Sequence, residues 1–351
     1  MSRVLIAMSG GVDSSVAAYL MTQRGHECAG VTMRLYESQG NSSSQTYIED
    51  AKAVCGQLGI PHHTIDLTDA FARAVIDSFV QAYTNGTTPN PCVDCNRSIK
   101  FGALLQKATE LGYDLVVTGH YARVSWDESA GRYLLKRGLD RDKDQSYVLY
   151  TLTQEQLSHI AFPLGELTKE QVRAIACEQG FITANKQESQ DICFVPDGDY
   201  ARFIHEYASY QPQPGPIVDS CGTVLGEHKG IIGFTIGQRK GIGLWSKNPL
   251  YVNRIDASSN SVVVGESDSL YSNATIIEDI NLILYESLQG PLEATARHRY
   301  RQAEKRVIVY QLDDNTLKVE FEQPQKALTP GQALVIYQGD TVVGGGRITA
   351  D

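Results

Sequence analysis

Apolar and polar positions along the chain follow two periods, and the change between them divides the molecule. In the first part, short apolar runs alternate with helical patterns. Val4 to Ala7 precede a helix over 13 to 24, whose Val16, Ala17, Leu20 and Met21 share one face and which stops at Gly25. Cys28 to Arg34 and His62 to Leu67 read as strands, and Tyr47 to Leu58, Asp69 to Ala82 and Ser98 to Leu111 as helices. Asp114 to Thr118 reads as a strand running into Gly119-His120, and residues 37 to 46, rich in Ser, Gln and Asn, as a loop. This alternation predicts an α/β domain with a parallel sheet covered on both faces, and it places ligands at the carboxyl ends of strands, where Ser9, Met33 and Gly119 fall. Beyond about residue 125 the alternation weakens. The charged run within Arg132 to Tyr150 reads as solvated, and Thr168-Lys169-Glu170-Gln171 opens a capped helix that runs to Gly180.

Pro196, Pro212, Pro214 and Pro216 then mark a boundary near 205 to 216, past which the period falls to two. Ile217 to Leu225, Leu250 to Ile255, Ser261 to Val264, Thr275 to Ile283, Ala294 to Gln302, Arg306 to Gln311, Thr316 to Phe321, Ala333 to Tyr337 and Thr341 to Ile348 read as short strands. The expected organisation is a nucleotide-binding α/β domain over 1–205, a small central β domain over 206–270 and a β-barrel over 271–351.

Composition narrows the classes. A chain of 351 residues with 42% hydrophobic content implies two or three folded domains. It has no apolar stretch of about 18 residues and no signal-peptide pattern at its start, so a cytoplasmic protein with no membrane partner is expected. Seven scattered cysteines do not suggest a disulfide framework. The net charge of −10 argues weakly against a nucleic-acid partner, but an average hides patches.

Chemistry concentrates in three stretches. Ser9-Gly10-Gly11-Val12-Asp13-Ser14-Ser15 joins a strand to a helix; paired glycines, hydroxyls and a helix N-terminus favour phosphate there. The usual lysine of a Gly-x-x-x-x-Gly-Lys loop is missing. Thr88-Pro89-Asn90-Pro91-Cys92-Val93-Asp94-Cys95-Asn96 offers thiols in a proline-bounded loop just ahead of a helix, where a thiolate would be stabilised. A metal knuckle would need a second Cys-x-x-Cys pair, and there is none. In Ser189-Gln190-Asp191-Ile192-Cys193-Phe194 a cysteine lies between an acidic turn and an apolar segment; Cys28, Cys55, Cys177 and Cys221 are assigned to packing.

The first stretch resembles the PP-loop, SGGxDS, of ATP pyrophosphatases, which activate a substrate oxygen as an adenylate. Together with IKFG, GHYAR, KDQSY, the Thr235 to Gly243 run TIGQRKGIG and the Arg299 to Gln302 run RYRQ, the three stretches occur in an order that closely resembles the tRNA-specific 2-thiouridylase family over nearly the whole length. The resemblance implies an adenine nucleotide alpha hydrolase-like parallel sheet domain followed by a small β domain and a C-terminal β-barrel. It implies ATP and Mg2+ as cofactors, and ATP binding by Ala7, Met8, Ser9, Gly10, Gly11, Val12, Asp13, Ser14, Met33 and Gly119. Asn90, Pro91 and Cys92 would meet the target base, while Cys95 and Cys193 would be paired catalytic thiols, Cys193 carrying a persulfide. His120, Lys143, Asp144, Gln145, Arg299, Tyr300 and Gln332 would contact tRNA of the Lys, Glu and Gln anticodon types. A cysteine desulfurase or a sulfur relay protein would donate the sulfur. Cys92 stands where many members carry the aspartate of an Asp-x-x-Cys pattern, so no acid or base role of that aspartate transfers here.

Replacing the uridine C2 oxygen by sulfur requires activation of that oxygen, a nucleophilic sulfur and a second thiol to release the product. Alternatives stay open at this level. Cys92, Cys95 and Cys193 could instead hold a [4Fe–4S] cluster, in a thiolase or in an RNA-binding carrier, and a PP-loop synthetase or amidotransferase would need neither Cys95 nor Cys193. Were Ala294 to Gln302 a strand, Arg297, Arg299 and Arg301 would share one face at about 6.6 to 6.8 Å intervals, close to phosphate spacing.

Overall fold

The computed structural model describes residues 1–36, 43–187 and 192–350. The apolar run forms β1 (Arg3–Ala7), buried from Val4 onward, and feeds α1 (Val12–Gln23), whose Val16, Ala17 and Met21 face inward. Next come β2 (Glu27–Arg34), α2 (Ser43–Leu58), β3 (His62–Asp66) and β4 (Leu115–Val117). A hairpin, β5 (Ala122–Asp127) and β6 (Arg132–Arg137), precedes β7 (Ile160–Ala161). The first sheet runs in the order β3-β2-β1-β4-β7, and every pairing is parallel. Crossover connections require this arrangement to carry helices on its faces, and the strand ends on one edge carry the loops that matter.

The second unit holds β8 (Gly215–Val218), β9 (Val224–His228), β10 (Tyr251–Asp256) and β11 (Ser261–Gly265), ordered β10-β11-β8-β9. The third holds β12 (Tyr271–Leu282), β13 (Leu292–Arg297), β14 (Lys305–Gln311), β15 (Leu317–Lys326), β16 (Ala333–Gln338) and β17 (Thr341–Ile348). Pairing of β12 with both β15 and β17 closes this sheet into a barrel, which removes its free edges.

Four sequence expectations change. The weakly patterned stretch after residue 125 is not loose: β5 and β6 leave the first sheet and join the barrel, with Thr341 opposite Lys136. One core accordingly runs from Leu5 and Val116 through Tyr147 and Tyr150 to Val335 and Tyr337. The run from Ile217 to Leu225 is a hairpin, because Asp219 accepts the N–H groups of Cys221 and Thr223 and Gly222 takes φ +84°. Cys221 therefore sits exposed on a turn, and Cys177 is exposed on the helix Lys169–Glu178; only Cys28 and Cys55 of the four assigned to packing are buried. The helix placed from Ser98 begins at Pro91, a residue suited to the first helical position, so Cys92 and Cys95 lie on it rather than ahead of it. The loop placed at 37 to 46 falls largely outside the described residues, as do Ser189, Gln190 and Asp191.

Candidate active site

The phosphate cradle stands at the carboxyl end of β1. Gly10 takes φ +68°, and a Cβ there would lie 2.5 Å from the Tyr47 carbonyl oxygen, so only glycine fits. Ser14 Oγ accepts from the Ser9 N–H at 3.2 Å and donates to the Gly11 carbonyl at 3.1 Å, while Ser15 Oγ meets Thr183 Oγ1 at 2.9 Å. Ala7, Met8 and Val12 are buried beneath the loop, which fixes its backbone for an incoming anion. Gly119 follows β4, and a Cβ on it would meet the Asp13 backbone carbonyl carbon at 2.9 Å, so that strand end packs directly on the loop. Met33, next to last in β2, is half-buried on the same edge of the sheet.

Sequence reasoning missed the cations. Lys169, the first residue of the helix Lys169–Glu178, donates from Nζ to both Asp13 carboxylate oxygens at 2.8 and 2.9 Å with its side chain only 10% exposed. The Tyr121 hydroxyl donates to Asp13 Oδ1 at 2.8 Å. Lys186 donates to the Gly10 carbonyl at 3.0 Å and pairs with Asp50. The charge missing after Gly11 thus arrives from the far end of the domain. The one available signal was a lysine at the start of a capped helix, which also fits plain solvation.

The thiol segment is clamped to the barrel. Gln332 donates to the carbonyls of Thr88 and Pro89 at 3.0 and 2.9 Å, and the Thr88 N–H donates to the Pro330 carbonyl at 2.9 Å. Asn90 caps the helix with its backbone carbonyl, which accepts from Val93 at 3.0 Å, and Pro91 is buried behind it. Asp94 is buried and pairs with Arg347, which also lies 3.7 Å from Asp279, the partner of Arg97. Burial nevertheless pushes the Asp94 carboxyl up, with Arg347 and Arg97 opposing.

Cys95 is half-exposed and Cys92 and Cys193 are exposed; Ile192 and Phe194, either side of Cys193, pack in one cluster with Cys95. Partial desolvation raises all three thiols. Cys193, pushed up further by the neighbouring Cys95 and Cys92, reaches about 11, with Lys100 opposing. The thiolate stabilisation expected from the helix N-terminus is outweighed, since Cys92 and Cys95 lie on the helix and desolvation raises both against the opposing charge of Lys100. Below its pKa the thiolate fraction grows with pH, so alkylation of Cys193 should accelerate about tenfold per pH unit between pH 7 and 9. A rate already flat at pH 8 would contradict this. Among the described residues no group of three His, Cys, Asp or Glu side chains is placed to hold a single metal ion.

The residues matched to tRNA contact divide. His120 is buried between the Phe101 and Phe162 rings, its Nδ1 is 2.6 Å from Thr118 Oγ1, and burial holds it well below its usual pKa. Asp144 is buried too, accepting from the N–H groups of Gly138 and Ser146 at 3.1 Å and from Arg297 at 2.7 Å. The KDQSY run is thus a folded core element and not a solvated one, and neither side chain is placed to meet a phosphate. Gln145 is bonded to the Tyr121 N–H at 3.0 Å, and Lys143 follows the turn at Asp140. The three-arginine face does not form, since β13 ends at Arg297, which is buried on Asp144, while Arg299 and Arg301 stand exposed on the following turn. Tyr300 packs against Tyr147 at 5.9 Å, close enough to Cys92 that a thiolate there would raise its phenol further.

The parallel sheet, the glycine loop at its switch edge and the two following β units define a PP-loop enzyme of the adenine nucleotide alpha hydrolase-like fold. Family models agree: one described as the tRNA methyl transferase HUP domain matches residues 2–197, a PRC-barrel domain matches 201–266 and an aminomethyltransferase beta-barrel domain matches 272–348. The chain is 49% identical over 355 residues to tRNA-specific 2-thiouridylase MnmA 1 of Caldanaerobacter subterraneus subsp. tengcongensis, covering 99% of this chain and 98% of that protein. It is 45% identical over 354 residues to the MnmA protein of Acetivibrio thermocellus, covering 99% of both. Among solved structures, the U34-tRNA thiolase NcsA from Methanococcus maripaludis with its [4Fe-4S] cluster aligns with a TM-score of 0.36 and 17% identity, over 59% of this chain and 66% of that one. The chain belongs to the tRNA-specific 2-thiouridylase family, whose members are sulfurtransferases. No helix among the described residues is long and apolar enough to cross a membrane.

Proposed function

We propose that the chain thiolates C2 of the wobble uridine of tRNA at the expense of ATP, using Cys193 as persulfide carrier and Cys95 as resolving thiol. The observation that carries this reading is the join made by two consecutive residues: Gly119 packs on Asp13 of the phosphate cradle, and the His120 ring packs on Phe101, in the helical segment that starts at Cys95, at 5.9 Å. That join packs the phosphate cradle and the thiol-bearing helix on one strand end, so one substrate can reach both. The uridine C2 oxygen attacks the α-phosphate and pyrophosphate leaves toward the cradle. Mg2+, carried in with ATP, would offset phosphate charge there. The terminal sulfur of the Cys193 persulfide adds at C2 and AMP departs. Cys95 thiolate then attacks Sγ of Cys193; the sulfur–sulfur bond breaks, its electron pair passes to the sulfur on C2, and a Cys95–Cys193 disulfide remains for an external thiol to reduce. The persulfide sulfur comes from a donor protein, and Cys92 takes no covalent part.

The nucleotide product tests the first step: AMP and pyrophosphate are expected with tRNA present, and ADP would refute it. For tRNA binding, Arg299 and Arg301 stand exposed on the turn that carries Tyr300, whose phenol lies within electrostatic reach of Cys92. Changing both to alanine should weaken binding and flatten the log–log salt dependence by about 0.7 to 0.9 per lost phosphate contact. An unchanged slope would remove them from the interface.

A further inference from the structure

The central β unit carries a surface that the reaction scheme does not use. From residue 228 to residue 255 the sequence contains no Asp or Glu, yet it contains Lys229, Arg239, Lys240, Lys247 and Arg254, in a chain whose net charge is −10. Within it, the loop over 237–249 exposes Arg239, Lys240 and Lys247, and Trp245 at 95%. Arg239, Lys240 and Lys247 have no ion-pair partner among the described residues. A side chain as large and apolar as tryptophan is ordinarily well covered, so full exposure inside a cationic loop points to a partner.

The loop is built rather than frayed. The Gly237 N–H donates to the Val252 carbonyl at 2.7 Å and the Val252 N–H to the Gln238 carbonyl at 2.9 Å. The Gln238 side chain accepts from the Thr235 N–H at 2.9 Å and donates to the Lys240 carbonyl at 2.9 Å. Ile242 is buried, and Leu244 and Leu250 pack on the same small core, so the loop is anchored before and after Trp245 while its ring points out. Two contacts place this surface. A Cβ on Gly237 would lie 3.1 Å from Ala327 Cβ and 4.0 Å from Nη2 of Arg299, so the loop continues the exposed arginine turn of the barrel. Ile232, just upstream, packs in the cluster that holds Phe194, next to Cys193.

We propose that this loop is an RNA contact, with Trp245 stacking on an unpaired base of the substrate tRNA away from the target uridine while Arg239, Lys240 and Lys247 neutralise backbone phosphates. The inference rests on the tRNA reading above and adds a second binding surface to it. Cations flanking an aromatic platform on a firm backbone are what single-stranded RNA recognition uses: stacking tolerates any base, and the charges track the backbone. The same cations continue the barrel's arginine turn, which favours one polyanion lying across both over a separate partner.

The chain has two tryptophans, so a Trp126→Phe variant leaves Trp245 as the sole reporter. Titrating it with end-labelled unmodified tRNA gives binding by anisotropy and stacking by tryptophan emission in one experiment. Quenching should saturate together with anisotropy, Trp245→Ala should weaken binding by about tenfold or more, and Trp245→Phe should restore most of it. The triple variant Arg239→Gln, Lys240→Gln, Lys247→Gln should flatten the salt slope by about two units. Normal anisotropy with unchanged emission, full affinity in Trp245→Ala and an unchanged slope would overturn the loop assignment alone. Wild-type protein that binds no tRNA would overturn the tRNA reading and the loop with it. Should Trp245→Ala keep tRNA affinity but slow sulfur transfer from a donor protein and not from free sulfide, the surface belongs to that protein and the RNA assignment fails.

Discussion

Replacing Cys193 or Cys95 by serine should abolish sulfur transfer to tRNA, a loss of about 10⁴-fold or more, as when a covalent nucleophile is removed from an enzyme. Cys92→Ser should stay within a few-fold of the unaltered protein. All three thiols neighbour one another, and partial desolvation raises each, so acidity does not single out the reactive pair. What separates them is placement. Cys193 sits in its own segment, flanked by Phe194, which packs on Phe71 and Phe79 at 5.8 and 5.2 Å, and by Ile192, which shares that cluster with Cys95. Cys92 lies within electrostatic reach of Tyr300 of the barrel as well as of the other two thiols. Single-turnover thiolation of tRNA by each variant, followed by non-reducing peptide mapping for a Cys95–Cys193 disulfide, checks the assignment. A severe loss in Cys92→Ser, with near-stoichiometric iron and sulfide in anaerobically prepared protein, would instead favour a cluster.

The second large effect is expected at Lys169. Its ammonium neutralises Asp13 in a nearly closed position, and its removal would leave a carboxylate held by the Tyr121 hydroxyl beside a loop that must accept a triphosphate. Lys169→Met should therefore cost about 10² to 10³ in kcat/KM for ATP, the usual scale for losing one preorganised electrostatic partner of a developing charge. Lys169→Arg should recover part of it. Pyrophosphate formation at varied ATP and fixed tRNA measures the loss, and a Lys169→Met enzyme with unaltered kcat/KM would show the pair to be structural only. Asp13→Ala should also be inactive, since it removes the carboxylate that both side chains hold.

The parallel sheet and its phosphate loop were legible because β1 and α1 obey local rules: an apolar run, two glycines and a helical face within two dozen residues. The barrel strands were legible from their period, but the turn at Arg297 was not. An arginine buried on Asp144 reads in sequence like an arginine facing phosphate. Periodicity says which residues share a face only while the strand lasts, and β13 ends before Arg299. The joining of β5–β6 to the barrel was hidden for a related reason, since pairing between strands two hundred residues apart leaves no local mark. Lys169, Tyr121 and Arg347 escaped notice alike, because a lone cation or phenol acquires meaning only when folding places Asp13 or Asp94 beside it.

The central claim is that the ATP cradle and the thiol pair act on one carbonyl of tRNA. The most direct measurement incubates the protein with unmodified tRNA, ATP and a persulfide donor, digests the tRNA and weighs the wobble nucleoside by mass spectrometry while counting AMP. The account predicts 2-thiouridine at the wobble position, formed with one AMP per sulfur and absent without ATP. Uridine left unchanged while AMP accumulates with tRNA, or sulfur found on a nucleoside elsewhere in the tRNA, would contradict it.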